Sequence, residues 1–267
     1  MAEQPLRIGV LALQGSFREH MASLRRIPNV EAVEVRTKDE LGSVAGLIIP
    51  GGESTTMALV AERWGLIPEL QQFAKAGKPV WGTCAGLIFL ANKATGVKEG
   101  GQALLGGLDC TVHRNFFGAQ INSFETQLPA PACLGSDGCE AAAAVDTFRA
   151  MFIRAPAVIE AGPEVEVLAR YELTPEERQA QQRDSVIVAV REGPLMATAF
   201  HPELTSDTRW HRLFVDMVRQ RLQQEREAAE AAAVAAAEAD AAGQQQAQDP
   251  FAKLGRAPNR PADLPVY

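Results

Sequence analysis

Gly82-Thr83-Cys84-Ala85-Gly86 sets a cysteine between two glycines, where a short apolar run, Val80 to Thr83, meets a helix-forming one. This is the pattern of a nucleophile elbow with sulfur in place of the serine oxygen. The glycines admit a turn too tight for flanking side chains, and the turn holds the central residue out toward a substrate. A helix beginning at Ala85 also directs amide N–H groups and a positive dipole end at the sulfur, which favours thiolate. A free thiol near neutral pH is only a few per cent ionised, so a base is still required. The same residues would equally suit a buried structural cysteine on a glycine-bounded turn.

Four histidines are available as bases: His20, His113, His201 and His211. His20 falls in an amphipathic stretch near the start and His211 in a closing one, where solvated or satisfied roles are usual. His201 ends an apolar run, is followed by Pro202, and has Glu203 two residues away. A carboxylate so placed can hold an imidazole in its proton-accepting tautomer. Alone, His-Pro-Glu is also a common turn with a surface carboxylate. Pro50-Gly51-Gly52-Glu53-Ser54 is the third element. Without a Cβ, Gly51 and Gly52 let the backbone turn an N–H toward a developing oxyanion, with the Ala85 amide as the second donor. A lone Gly-Gly is more often a simple turn. Phosphate cradling is disfavoured, since Glu53 stands where a Walker loop needs Lys.

These residues must be delivered by the elements around them. Leu6 to Leu13 and Leu47 to Ile49 read as strands buried on both faces, Val30 to Val35 as an alternating strand, and Val80 to Thr83 as a short one. Helical spacing lies between them, after the N-cap candidate Ser16, over Thr55 to Trp64 and Ile67 to Ala76, and over Ala85 to Ala94. Strand and helix alternate, so the expected fold is α/β: helices on both faces of a mostly parallel sheet. Ser185 to Val190 and Leu195 to Phe200 flank Gly193-Pro194 and read as a hairpin. Short β-like runs, Gln120 to Phe124 and Met151 to Arg154, punctuate a less regular middle. Leu173 to Asp184 reads as a helical turn or solvated loop, and Ser206 as an N-cap for a closing amphipathic helix from Trp210 to Leu222. A folded domain over 1–224 is expected, with a low-complexity insertion at about 129–147. Residues 225–267 form an Ala/Glu/Gln-rich tail, read as frayed helix or disorder, because 11 of the 18 residues from Glu225 to Ala242 are Ala and bury no face.

Composition excludes several classes. With 26 Lys and Arg against 33 Asp and Glu, the net charge is −7, and no sequence-wide basic surface exists to neutralise nucleic acid. Four cysteines in 267 residues are too few for a disulfide scaffold and lack paired metal spacing. Cys133 and Cys139 fall in the insertion and read as incidental loop thiols. No apolar run approaches the ~20 residues of a membrane helix, and the start lacks a leader pattern. The expectation is a cytoplasmic protein with no metal and no cofactor.

The three elements in this order resemble class I glutamine amidotransferases, whose glutaminase domains use Cys, His and Glu and have a flavodoxin-like three-layer α/β fold. Further blocks are similar to the glutaminase subunits of pyridoxal 5′-phosphate synthase. They are Leu13-Gln14-Gly15, Arg18-Glu19-His20, Pro50 to Thr56, Gly82 to Ile88, Arg114-Asn115, Phe117-Gly118, Phe152 to Pro156 and Phe200 to Leu204. The resemblance spans about Leu6 to Leu222. It implies that Cys84 is the nucleophile, His201 moves protons and Glu203 orients His201. It implies that Gly52 and Ala85 form the oxyanion hole, and that Gly52, Glu53, Ser54, Arg114, Ile153 and Arg154 bind L-glutamine. It also implies ammonia transfer to a separate (β/α)₈-barrel synthase subunit in a large hetero-oligomer, whose docking organises the loop near Gln14 and Gly51. Phe116 and Ala119 depart from the usual pattern of that family, as do the insertion and the tail. A glutaminase serving another acceptor synthase, or a silent regulatory subunit of the same fold, are the alternatives.

Overall fold

The computed structural model describes residues 4–96, 103–118, 123–135 and 147–248, with side chains to 236. The chain divides into two compact units, Met1–Arg221 and Leu222–Tyr267. In chain order the elements are β1 (Leu6–Leu11), α1 (Phe17–Leu24), β2 (Val30–Val35), α2 (Lys38–Gly42), β3 (Gly46–Ile49), α3 (Ser54–Arg63), α4 (Leu66–Lys75), β4 (Val80–Thr83), α5 (Ala85–Leu90) and β5 (Ala91–Thr95). They continue with β6 (Leu108–His113), β7 (Ser123–Pro129), β8 (Thr147–Ile153), β9 (Ala157–Ala161), β10 (Glu166–Glu172), α6 (Pro175–Gln181), β11 (Ser185–Glu192), β12 (Leu195–Thr198) and α7 (Arg209–Gln248).

Ten strands form one sheet in the order β2-β1-β3-β4-β12-β11-β9-β6-β5, with β10 on β11, and β7 pairs β8 in a second, two-stranded sheet. From β2 to β12 every pairing is parallel. The β11–β12 hairpin then reverses direction, and β9, β6 and β10 extend an antiparallel half. Strand alternation on β4 shows how helices cover both faces of the parallel half. The Trp81 ring lies 5.5 Å from His20 of α1 and 5.8 Å from Phe214 of α7. The next residue, Gly82, faces the other way, where a Cβ would come within 2.4 Å of the Gly86 backbone in α5. Between these layers Ile8, Val10, Leu47, Ile48, Ile49, Val80 and Trp81 are buried.

Three sequence expectations shift. The stretch from Ala85 to Ala94 is not one helix: α5 stops at Leu90 and β5 begins at Ala91, because the backbone joins β6 as a strand pair. The middle contains more sheet than its irregular pattern suggested, since β6, β9 and β10 pair with partners distant in sequence. Ser16 and Ser206 do not cap helices with their side chains. Ser16 makes no side-chain cap bond, and at α7 the Asp207 Oδ1 accepts from Arg209 N–H at 2.9 Å. Residues 225–236, read as frayed helix or disorder, are helical with every side chain exposed, as alanine's intrinsic propensity allows without packing. Of the insertion read at 129–147, residues 136–146 lie outside the described residues, as do Cys139, Ala119 and the tail from 249. No helix among the described residues is long and apolar enough to cross a membrane.

Candidate active site

Parallel register brings three loops to one edge of the sheet. Thr198 of β12 stands opposite Thr83 of β4, and Gly82 of β4 opposite Ile49 of β3. All three strands therefore end together, and the chain leaves them as Gly51–Ser54, Cys84 and His201–Glu203. Such carboxyl ends of parallel strands are where α/β folds build clefts.

Cys84 adopts φ 47° and ψ −98°, a strained backbone for a residue with a Cβ. Close packing imposes it. A Cβ on Gly86 would lie 2.1 Å from the Ile49 carbonyl oxygen, so α5 can press onto β3 and β4 only with glycine on either side of the cysteine. The Cys84 N–H donates to the Thr198 carbonyl at 2.8 Å, tying the turn to β12. Its sulfur lies 3.9 Å from the Ile153 carbonyl oxygen.

The His201 ring and Cys84 meet at Gly51, where an added Cβ would contact both, and His201 Nδ1 lies 2.7 Å from Glu203 Oε1. Nδ1–H donation to the carboxylate leaves Nε2 for the sulfur. The His201 N–H donates to the Met151 carbonyl at 2.8 Å, and the preceding Phe200 packs on Phe148, Phe152 and Trp210. An aromatic wall thus fixes the backbone that presents the imidazole. Gly51 lies against this ring, where a Cβ would sit 2.2 Å from His201 Cε1.

Ser16, read as a helix cap, takes a different part. Its Oγ donates to Glu203 Oε1 at 2.6 Å, and its N–H donates to the Gly51 carbonyl at 3.0 Å. Holding the Gly51 carbonyl on that side turns the Gly52 N–H of the same trans peptide the opposite way. Gln14 pins the next residue with two bonds: its Nε2 donates to the Glu53 carbonyl at 3.0 Å, and its Oε1 accepts from Glu53 N–H at 3.2 Å. The Glu53 carboxylate caps α3, accepting from the Thr55 and Thr56 N–H groups.

A cavity of about 140 Å³ opens between these loops. Gly52, Glu53, Ser54, Cys84, Ala85, Arg114, Ile153, Arg154 and His201 all line it, whereas Glu203, Gln14 and Gly51 stand behind the lining. Ile88, Asn115 and Pro156 also line it; they fall within the blocks of family resemblance, which gave them no site role. Arg114 Nη2 donates to Ser54 Oγ at 2.8 Å and to Thr55 Oγ1 at 3.2 Å, which anchors the guanidinium beside Glu53. Arg154 is exposed, with φ 46° in the turn that ends β8. A larger groove of about 520 Å³ runs along β7 and β10, lined by neither cysteine nor histidine.

Charge in the site is set by competition between burial and partners. Burial disfavours the His201 imidazolium, but the Cys84 sulfur and the Glu203 carboxylate outweigh it and push the pKa up to about 10. Burial likewise opposes Glu203 ionisation, but His20, His201 and Ser16 bring its carboxyl down to about 2. For Glu53 a smaller burial cost is overcome by the Thr56 and Thr55 donors, again to about 2. At neutral pH the site therefore holds an imidazolium between a sulfur and a carboxylate, which is the arrangement that supports a nucleophilic thiolate.

Sequence comparison decides the lineage: a model of the SNO glutamine amidotransferase family matches residues 10–220. The chain belongs to that family. A glutamine amidotransferase takes its nitrogen from a carboxamide, a reaction that suits a cysteine beside an imidazolium. Among the relatives, the chain is 56% identical over 227 residues to a "Probable pyridoxal 5′-phosphate synthase subunit PDX2" of Arabidopsis thaliana, covering 80% of this chain and 87% of that one. It is 47% identical over 214 residues to the "Pyridoxal 5′-phosphate synthase subunit PdxT" of Dehalococcoides mccartyi, covering 80% and 98%. A crystal structure titled as a glutamine amidotransferase aligns with TM-score 0.64 and 41% identity, over 79% of this chain and 98% of that one. PurLQS from Thermotoga maritima, at TM-score 0.53 and 18% identity over 80% and 99%, shares the fold. The α/β class expected from the alternation of strands and helices is the class of these neighbours.

Proposed function

We propose that this chain is the glutaminase subunit of a pyridoxal 5′-phosphate synthase, hydrolysing L-glutamine to L-glutamate and ammonia for vitamin B6 synthesis. The observation that carries the chemistry is the strained Cys84 at the cavity wall, beside an imidazole that is itself held by Glu203. The relatives' names support the acceptor pathway.

The Cys84 thiolate attacks the carboxamide carbon, forming a C–S bond and an oxyanion that the Gly52 and Ala85 amides receive. His201 gives its proton to the nitrogen, the C–N bond breaks, and ammonia leaves a γ-glutamyl thioester. His201, now neutral, takes a proton from water as the hydroxyl attacks the thioester, and the C–S bond breaks to release glutamate. Glu203 keeps the imidazole oriented throughout. Arg114 and Arg154 face the α-carboxylate end, where a cationic fork fits a carboxylate, while Glu53, Ser54 and Ile153 complete the pocket for the amino-acid end. Free ammonia is mostly protonated in water, so the ammonia is passed through an enclosed path to a partner, a (β/α)₈-barrel synthase subunit in a large hetero-oligomer. Docking of that subunit orders the loop at Gln14 and Gly51. The protein works in the cytoplasm.

The test is glutamate formation by the full chain with and without a pyridoxal 5′-phosphate synthase subunit. Hydrolysis that rises strongly with synthase, and vanishes with Cys84→Ala, is expected. Equal rates with and without synthase would remove the gating, and glutamine-dependent cofactor synthesis by Cys84→Ala would favour a silent regulatory subunit.

A further inference from the structure

Behind Glu203 the interior contains two histidines that the reaction above does not use. His20 and His211 are both fully buried, and Trp81 packs edge-on against each at 5.5 and 5.0 Å. His20 Nδ1 lies 2.9 Å from His211 Nε2, and His20 Nε2 lies 3.1 Å from Thr83 Oγ1 and 3.4 Å from Glu203 Oε2. Glu203 Oε1 is occupied by His201 and Ser16, but Oε2 is buried with no hydrogen-bond partner among the described residues other than what His20 can offer across that 3.4 Å.

One arrangement of protons suits the carboxylate at the end of this row, with Thr83 Oγ1, the nearer neighbour of His20 Nε2, accepting from the same proton. A lone pair on His20 Nε2 would face a buried carboxylate oxygen and repel it, so the proton belongs on Nε2. His20 Nδ1 is then an acceptor, so His211 must donate from its own Nε2, which leaves His211 Nδ1 as a buried acceptor. His211 Nδ1 is indeed the atom without a partner. We propose that His20, its Nδ1 anchored by His211, is a positioning residue that holds the second oxygen of Glu203 and so orients the His201–Cys84 pair.

The row runs from the core to the sulfur, His211 to His20 to Glu203 to His201 to Cys84, and makes the carboxylate's orientation depend on a helix outside the pocket. The groups facing His20 are Glu203 and His201 from the β12 loop, Glu19 from its own helix, His211 from α7 and Thr83 from β4. Burial lowers the pKa of both His20 and His211, so both stay neutral beside the charged pair. Without the His20 donor the carboxylate is less well held, its support of the imidazolium weakens, and His201 loses its proton at lower pH.

This inference rests on the glutaminase reading and is tested on the same assay, with the full chain and the synthase subunit together. Glutamate formation is followed against pH and glutamine concentration for wild type, His20→Gln and His20→Leu. His20→Leu is expected to lose about 10–100-fold in kcat, the worth of a hydrogen bond to a charged group, with KM within about twofold. Its alkaline limb should move to lower pH, and His20→Gln, whose amide nitrogen restores a donor near Nε2, should recover most of both. A folded His20→Leu with unchanged kcat and pH limb overturns the proposal. Nitrogen-15 spectra of the wild-type histidines give a second reading that needs no variant to fold: a proton on His20 Nε2 is expected at neutral pH, and one on Nδ1 overturns it. Wild-type protein that does not hydrolyse glutamine sinks the glutaminase reading instead, while the tautomer is still measured.

Discussion

The parallel half of the main sheet, and its antiparallel half together with the β7–β8 sheet, contribute different things to one cavity. From β3, β4 and β12 come Gly52, Cys84 and His201; Cys84 and His201 are buried and fixed by backbone bonds to Thr198 and Met151, and the Gly51 carbonyl before Gly52 is held by Ser16. From β6 and β8 come Arg114 and the Ile153-Arg154 turn, more open to solvent and anchored by side-chain bonds or by one strained residue. The rigid half offers bond-making groups and the open half offers charge for recognition. Substitutions in the first should therefore lower kcat, and substitutions in the second should raise KM.

The largest effect expected is in the parallel half. Cys84→Ala should lower glutamate release by about 10⁴-fold or more, and Glu203→Gln by roughly 10²–10⁴-fold, both with KM nearly unchanged in steady-state assays. On the antiparallel side, after β8 and β6, Arg154→Ala and Arg114→Ala should each reduce kcat/KM by about 10–100-fold through KM, the range of a charge-assisted hydrogen bond. A kcat loss at Arg154 with KM intact would dissolve the division of labour.

Smaller effects sharpen it. Gly86→Ala forces a Cβ to 2.1 Å from the Ile49 carbonyl oxygen, and overpacking of this kind costs about 1–3 kcal/mol. Thermal melting should fall by roughly 2–4 °C for each of those kcal/mol. Gly65→Ala on the surface has open space around it, but its φ of 68° makes any loss there a backbone effect.

Dependence of stability on pH separates the rim from the interior. His201, raised to about 10 from 6.5, contributes stability that is complete below 6.5 and is lost as pH rises toward 10. His20 and His211 have the opposite sign, because the unfolded chain binds protons below 6.5 that the buried neutral rings refuse. Glu203 and Glu53, each lowered to about 2, add a further loss as pH falls from about 4.5 to 2. The melting temperature should pass through a maximum near neutrality, and His201→Asn should flatten its alkaline side alone.

The parallel half was legible because its signals are local. Continuous apolar runs mark β1, β3 and β4, and the glycines around Cys84 and at Gly51-Gly52 mark turns that a Cβ would block. The antiparallel half was not, since β6, β9 and β10 owe their pairing to residues far away in sequence, and β5, Ala91-Asn92-Lys93-Ala94-Thr95, carries no apolar or alternating strand pattern of its own. Within the site, Cys84, His201 and Glu203 stood out by motif. Ser16, His20 and His211 did not, because a helix start and two amphipathic helices explain those residue types equally well. Only the tertiary arrangement turns the Ser16 hydroxyl and the His20 ring toward Glu203.

Acid-quenched turnover followed by peptide mapping reports the attacking atom itself. With glutamine and synthase present, a γ-glutamyl group should be found on the peptide carrying Cys84 and should be absent in Cys84→Ala. Sustained glutamate release with that peptide unmodified, or with the acyl group on Cys110 or Cys133, would contradict the account.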